Sequence, residues 1–262
     1  MLGSFTGLQG NRTDMGEQLL NAAASQSIRH LFTRSESVEV TVRCYPSSKL
    51  LQGSIDSFQM RGKGLLIRKD FWVEEMFFET DTVSIDFGAA LRGQIRLKQS
   101  TQSVAQITLS EDGINQAFQG ELVKRRMQNL TLPVLTNLSG GEPVSFREVE
   151  LTLQPNNGVK LRAKTDLPNC QDVVIALTAT LGIDRRRRIL FENPQFDSDR
   201  VPESVQGISQ ILTEAFSQVL NEMVDLDRFD LDGILLRMNR LETDGKFLHF
   251  SGYAQIDHFP QI

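Results

Sequence analysis

The chain has 262 residues, of which 40% are hydrophobic and 23% are charged, a composition typical of one large folded domain or two small ones. Its net charge of -5 offers no overall attraction for phosphate, which argues against a nucleic-acid-binding protein. Two cysteines, Cys44 and Cys170, are too few for a disulfide scaffold in a chain of this length. They are either free thiols on strands or, if the protein is exported, one single bridge.

The N-terminal residues 1–15 contain one arginine and no continuous apolar core, so they do not resemble a secretory signal. The sequence has no run of about 18 apolar residues, so no segment is expected to span a membrane. We therefore expect a flexible N-terminus over residues 1–13 and a single elongated domain over residues 14–262. The expected location is cytoplasmic, with peripheral contact at a membrane surface.

The first predicted element is a helix that begins near Asp14, where Glu17 follows at the spacing of a capping box. Apolar residues then recur at helical spacing as far as Phe32. The period changes to two over residues 38–44, where apolar and polar residues alternate and predict a half-buried strand. Further extended segments are predicted at residues 54–61, 64–68, 72–87 and 94–109.

A second helix is predicted after the capping residue Ser110, with Ile114, Ala117, Phe118 and Leu122 on one face. The strand pattern then returns, with a hairpin turn at residues 155–158, a central strand at 173–181 that is apolar on both faces, and a further strand at 185–191.

The strongest helix pattern begins near Pro202, and Thr243, Asp244 and Gly245 predict a last hairpin. Hairpins outnumber crossovers, which predicts an α+β fold with a mainly antiparallel sheet and about three helices. The architecture repeats in two similar halves, at about residues 14–138 and 142–260, without a strict sequence repeat.

The sequence lacks the residue sets that enzymes use. His30, His249 and His258 lie far apart, and neither metal-ligand spacings nor a nucleophile or phosphate-loop motif occurs. We therefore expect a protein that is not an enzyme and that has no cofactor and no metal.

Four consecutive arginines, Arg185, Arg186, Arg187 and Arg188, form the most unusual charge pattern in the chain. They are either the solvated end of a hairpin or a contact for anionic lipid head groups, to which guanidinium groups bind through forked donors.

The segment VEVTVRCYPSSKLLQGSIDSFQMRGKGLLI and the later pieces TDTVSIDFGAALRGQIRL and AQITLSEDGINQAF resemble the LmeA-like family of bacterial lipid-binding proteins. The shared features are a V-x-V-x-V strand, an L-L-x-G turn and the strand that reads SIDSF. The resemblance covers residues 16–260 in element order and is best over residues 36–120. The chain resembles the signal-less members of this family that are found in cyanobacteria.

The resemblance implies an elongated, strongly curved antiparallel sheet wrapped around a long amphipathic helix, similar to the tubular lipid-binding (TULIP-like) fold. Its apolar interior would hold phospholipid or another acyl-chain lipid, for lipid transfer or membrane lipid homeostasis. Candidate lining residues, chosen by strand alternation and by the helix stripe, are Phe77, Val83, Ile85, Ile208, Leu212 and Val219. The alternative from another functional class is an interaction or scaffold protein whose core is fully packed.

Overall fold

The computed structural model describes residues 21–258, except for positions 23, 27, 47, 68, 91–95 and 229–232. The predicted flexible segment 1–13 and the predicted start of the first helix at Asp14 lie outside the described residues. The first helix is seen as helical turns within residues 21–29.

The longer strands and helices follow one another in the order that the hydrophobic periods predict. The bounds of all elements are as follows. The strands are β1 (Ser37–Arg43), β2 (Ser54–Ile55), β3 (Ser57–Ile67), β4 (Phe71–Thr80), β5 (Val83–Ser84), β6 (Thr101–Ser110), β7 (Phe146–Leu153), β8 (Gly158–Leu167), β9 (Cys170–Asp184), β10 (Arg188–Phe196), β11 (Ile234–Thr243) and β12 (Phe247–Ile256). The helices that are bounded in the described part are α1 (Ser48–Leu51), α2 (Phe87–Ala90), α3 (Glu111–Gln119), α4 (Glu121–Arg126), α5 (Pro133–Leu138) and α6 (Gln206–Met223).

The strands form two principal antiparallel sheets. The larger has six strands in the order β1-β3-β4-β6-β12-β11, and the smaller has four in the order β10-β9-β8-β7. A short pair, β2 and β5, stands beside them. The last two strands of the chain complete the six-stranded sheet, because β12 pairs with β6. The predicted halves 14–138 and 142–260 therefore share one sheet.

The long helix α6 covers the four-stranded sheet, where it contacts β9 and β10. Its buried side includes Leu212, Phe216 and Leu220, each at most 1% exposed. Each such side chain contributes about 1.5–3 kcal/mol through removal from water. Ser209 is also buried there, and its hydroxyl donates to the carbonyl oxygen of Val174 at 2.7 Å, so the polar group is satisfied inside the interface.

Helix α3 connects the two sheets. Ser110 caps its N-terminus, as predicted, by accepting a hydrogen bond from the backbone N–H of Gly113 at 3.1 Å. Asn115 on the same helix exchanges two hydrogen bonds with the backbone of Leu151 in β7, at 2.7 and 2.9 Å. These bonds satisfy groups on an edge strand that would otherwise face water unpaired.

The predicted α+β class and antiparallel pairing are confirmed. The expected wrapping of one curved sheet around a long helix is not observed, because α6 packs against one face of the smaller of two sheets. The described residues also contain six helices instead of about three. Four of these, α1, α2, α4 and α5, have only four or six residues, too few for a helical period to be visible in the sequence.

Candidate functional site

The six-stranded sheet has one apolar face and one polar face. In β1, Val38, Val40 and Val42 are buried, whereas Glu39 and Thr41 are exposed. Residues that lie opposite each other on neighbouring strands point to the same side, so the strand register extends this division across the middle of the sheet. It breaks down near the β3–β4 turn, where the opposed residues Leu65 and Val73 are both fully buried. We call the side of the three valines the core face and the other side the outer face.

Five half-buried apolar side chains lie together in the middle of the core face: Met76, Phe78, Ala105, Ile107 and Phe250. Ile107 lies opposite Met76 on one side and opposite Phe250 on the other, and Ala105 lies opposite Phe78. Directly opposed Cβ atoms are about 4.5–5.5 Å apart, so the five side chains form one continuous surface. We call this surface the central apolar patch.

The patch is bounded on two sides by fully buried residues of the same face. Leu109 and Leu248 lie towards one end of the strands and are 7% and 6% exposed. Thr80, Ser103 and Ala254 lie towards the other end and are at most 4% exposed. Apolar surface therefore remains accessible over a limited area in the centre of the sheet.

The outer face is lined by polar and charged pairs. Lys63 and Glu75 form an ion pair at 2.9 Å, and Thr108 lies 3.1 Å from the Nδ1 atom of His249. An acyl chain on this face would have to displace hydrated groups, which is unfavourable. The two faces of the sheet thus differ sharply in polarity.

Phe77, predicted to line an apolar interior, lies on the outer face. The guanidinium carbon of Arg61 stands 5.3 Å from the centre of its ring, in a cation–π contact. Its neighbours Met76 and Phe78 are the residues that face the core. Because residues 76–78 are all apolar, alternation alone does not decide which of them points inward.

Val83 and Ile85 are buried in a separate part of the core, at 6% and 7% exposure. Val83 lies opposite Ile55 in the short β2–β5 pair, and Ile85 forms an isolated bridge with Leu97. They help to hold the segment after β4 against the core.

Ile208, Leu212 and Val219 lie on α6, which packs against the four-stranded sheet. Val219 also lines a shallow surface depression of about 230 Å³, together with Leu130, Leu132, Met223 and the charged Arg126 and Glu222. The six predicted residues are therefore distributed over three places. None of them belongs to the central apolar patch, although alternating apolar and polar residues in β6 are visible in the sequence.

The four arginines lie at the turn between β9 and β10, not along a strand. Arg185 and Arg186 have positive φ angles of 46° and 61°, and only Arg188 belongs to β10. Arg187 pairs with Asp227 at 2.5 Å, and Arg188 pairs with Asp225 at 3.1 Å.

Arg186 reaches the other sheet. Its guanidinium lies 4.9 Å from the ring centre of Tyr253 and donates to the side chain of Asn239, and its carbonyl oxygen accepts from the N–H of Met238 at 2.7 Å. Asp227 in addition pairs with Arg237 of β11 at 2.7 Å. Hydrogen bonds from Arg187 and Arg237 lower the pKa of Asp227 below its ordinary value, so the carboxylate stays charged. The four consecutive arginines therefore link the two sheets, and aspartates neutralise the charges of Arg187 and Arg188.

Two further features of the described residues concern metal binding and membrane spans. No group of three or more His, Cys, Asp or Glu side chains is placed to hold a metal ion among the residues that the structure describes. In the same part of the chain, no helix combines the length and the apolar character needed to cross a bilayer.

The sequence profile of a known family, described as LmeA-like phospholipid-binding, matches residues 12–252. Searches of curated proteins and of solved structures found no match. The family match spans nearly the whole chain, including every strand of both sheets except the last residues of β12. The chain therefore belongs to the LmeA-like phospholipid-binding family.

Proposed function

We propose that this protein binds a phospholipid whose acyl chains lie on the central apolar patch of the six-stranded sheet. The observation that carries the proposal is the set of five half-buried apolar side chains on the core face, in a chain whose family binds phospholipid. Half-buried apolar side chains retain water-exposed surface, and covering that surface with hydrocarbon is favourable.

The dimensions and energetics of the patch agree with an acyl chain. It crosses the three strands β4, β6 and β12, which at about 4.8 Å per spacing gives a width of about 10 Å. Each methylene group transferred from water to such a surface contributes about 0.8 kcal/mol. An acyl chain with about ten covered methylenes would therefore contribute about 8 kcal/mol against the cost of association, and the polar outer face cannot compete for it.

The patch supports binding without turnover. It consists of Met, Phe, Ala and Ile side chains, none of which acts as an acid or a base. We infer that the protein carries lipid, for transfer or for membrane lipid homeostasis, and that it meets a membrane peripherally to exchange its cargo.

A substitution on β6 tests the site with a control on the same strand. Ile107→Gln places an amide in the patch, whereas Val104→Gln places the same amide on the outer face, where Val104 is already 53% exposed. We expect Ile107→Gln to weaken binding of a fluorescent phospholipid about fivefold, since about half the transfer free energy of one Ile is lost. Val104→Gln should bind like the wild type.

Native mass spectrometry of the purified protein gives the decisive negative result. If the wild type carries no phospholipid and takes none up from vesicles, lipid binding is wrong. The alternative, an interaction protein with a filled core, would then be preferred. One observation favours this alternative. The structure shows two surface depressions, of about 230 and 450 Å³, and both are shallow.

A further inference from the structure

Three segments of the chain meet at the end of the six-stranded sheet where β3 turns into β4. The N–H of Thr33 donates to the carbonyl oxygen of Leu66 at 2.9 Å, which brings the segment before β1 to this hairpin. Phe71 lies opposite Ile67 as the last pair of the hairpin. A Cβ atom added at Gly120 would lie 2.7 Å from the Cβ of Asp70, so the start of α4 also touches it.

This end exposes large apolar side chains, one from each segment. Leu31 is 36% exposed, Phe71 is 40% exposed and Leu122 is 58% exposed. Scattered exposed apolar residues are ordinary on a protein surface. Three that come from separate segments and lie at one end of a sheet are candidates for a contact surface.

The same end carries five exposed cations: Arg29, Arg34, Lys69, Lys124 and Arg125. They outnumber the exposed carboxylates nearby, Glu36, Asp112 and Glu121, although the whole chain has a net charge of -5. Asp70 and Glu74 at this end are half-buried. Arg125 and Glu121 are 3.9 Å apart and both largely exposed, and the other four cations form no ion pair with the described residues. We call these cations, together with Leu31, Phe71 and Leu122, the basic end.

We infer that the basic end docks the protein on an anionic membrane surface. The inference rests on the proposed function, because a lipid carrier must reach a bilayer to exchange its cargo. Exposed Leu and Phe side chains enter the boundary between head groups and acyl chains, while the surrounding Lys and Arg side chains bind anionic head groups. A nucleic acid would use the cations and leave the apolar side chains in water, so the mixture favours a lipid surface.

The basic end and the central apolar patch lie on the same strand. Phe71 begins β4 and Met76 lies five residues further along it, about 17 Å away at strand spacing. Docking at this end therefore holds the lipid site within about one leaflet's depth of the membrane surface.

Charge neutralisation at the two ends of the sheet tests the inference. The test variant is Lys69→Gln with Lys124→Gln and Arg125→Gln. The control variant is Arg43→Gln with Arg96→Gln and Lys98→Gln, three exposed cations at the opposite end, where Lys98 contacts the carbonyl oxygen of Gln52 at 3.3 Å. Binding is measured by co-sedimentation with phosphatidylserine-containing vesicles and with neutral phosphatidylcholine vesicles.

At low salt we expect the test variant to bind anionic vesicles at least about tenfold more weakly than the wild type, since each cation near the surface contributes substantially. The control variant should change by less than about twofold, and added salt should reduce the difference. A second pair separates the apolar contribution: Phe71→Ser with Leu122→Ser should weaken vesicle binding, and Tyr45→Ser with Leu51→Ser should not.

The inference is wrong if wild-type protein does not sediment with anionic vesicles, if the control variant loses binding instead, or if neutralising Arg185 to Arg188 alone abolishes it. Binding of a soluble short-chain phospholipid is measured on the same variants. Loss of vesicle binding with intact short-chain lipid binding supports docking by the basic end. Vesicle binding without any short-chain lipid binding would contradict the proposed function while leaving the docking surface standing.

Discussion

Asp244 organises the turn between β11 and β12. Its carboxylate accepts hydrogen bonds from the backbone N–H groups of Phe247 and Lys246 at 2.8 and 2.9 Å, and the Nε2 atom of His249 lies 3.4 Å away. These donors, the one from Phe247 first, lower the pKa of Asp244 from 3.8 to about 2. Gly245 follows with a φ of 96°, a conformation that glycine adopts without strain.

The lowered pKa of Asp244 predicts a pH dependence of stability. A carboxyl group whose pKa is lower in the folded state stabilises the fold fully above its unfolded pKa near 4, and this stabilisation disappears as the pH falls through about 2. Asp244→Asn should therefore be less stable than wild type at pH 5, and the difference should shrink between pH 4 and 2. Urea unfolding midpoints across that range measure it.

The control for Asp244 is Asp81→Asn, at an exposed position in the turn after β4. Its unfolding midpoints over the same pH range give the background for removing one exposed carboxyl group from a turn. A constant offset between Asp244→Asn and the wild type would show that the turn does not depend on the ionised carboxylate.

At the scale of elements, α6 and β6 carry apolar side chains with different roles. Leu212 of α6 is fully buried against the four-stranded sheet, whereas Ile107 of β6 is half-buried in the central apolar patch. Both lie on periodic apolar stripes in the sequence, and only their burial separates core from candidate site.

This difference predicts opposite outcomes for two truncations. Leu212→Ala should lower the free energy of unfolding by about 3 kcal/mol, because it removes transfer free energy and leaves a cavity. Ile107→Ala should cost about 1 kcal/mol in stability but weaken phospholipid binding. Chemical denaturation and lipid titration of both variants check it. Impaired lipid binding by folded Leu212→Ala, with Ile107→Ala unaffected, would move the site to the helix.

The helix after Ser110 shows how one glycine changes the role of a residue. Helical spacing predicts that Leu122 shares an apolar face with Ile114 and Phe118. The helix instead ends at Gln119, Gly120 has an extended backbone, and α4 starts in a new direction with Leu122 exposed. This break is what places Leu122 at the basic end.

At the scale of the whole molecule, the run of four arginines links the two sheets. Arg186 contacts β11 and β12 directly, and Arg187 reaches β11 through Asp227. Arg188, which is 36% exposed, pairs instead with Asp225 of the segment after α6, whose side chain is only 5% exposed. Asn157 adds a second link, since its side chain bonds the backbone of Leu241 and Thr243 at 3.1 and 3.0 Å. The two sheets are thus held together by polar contacts at both places.

Breaking the Arg188–Asp225 pair, which ties β10 to the segment after α6, should destabilise the protein. Arg188→Gln leaves a nearly buried carboxylate without its cation, and we expect a loss of about 2 kcal/mol, below the range for fully buried pairs because Arg188 is partly exposed. Arg185→Gln, at an exposed position with no ion pair among the described residues, should change stability by less than about 0.5 kcal/mol. Urea denaturation compares them, and equal stability of the two variants would contradict a stabilising role for the Arg188–Asp225 pair. Contact of the four arginines with anionic head groups stays a separate prediction, with Arg185 the residue best placed for it.

Features that depend on neighbours in the chain could be predicted from the amino-acid sequence alone. Alternation in residues 38–44, the capping Ser110 and the turns at residues 155–158 and 243–245 all predict the local structure that is observed, because strand period, caps and turns are set within a few residues. The family resemblance likewise followed from strand-and-turn motifs and is confirmed by the match over residues 12–252.

Which surfaces meet could not be predicted from the sequence and depends on tertiary contacts. Whether Phe77 or Phe78 faces the core, which sheet α6 covers, and whether Arg187 is solvated or paired with Asp227 all depend on residues distant in sequence. A shift of one residue in register turns every side chain of a strand to the other face, and an apolar run hides that register. For the same physical reason, the patch and the basic end emerge only when strands and segments far apart in the chain are brought side by side.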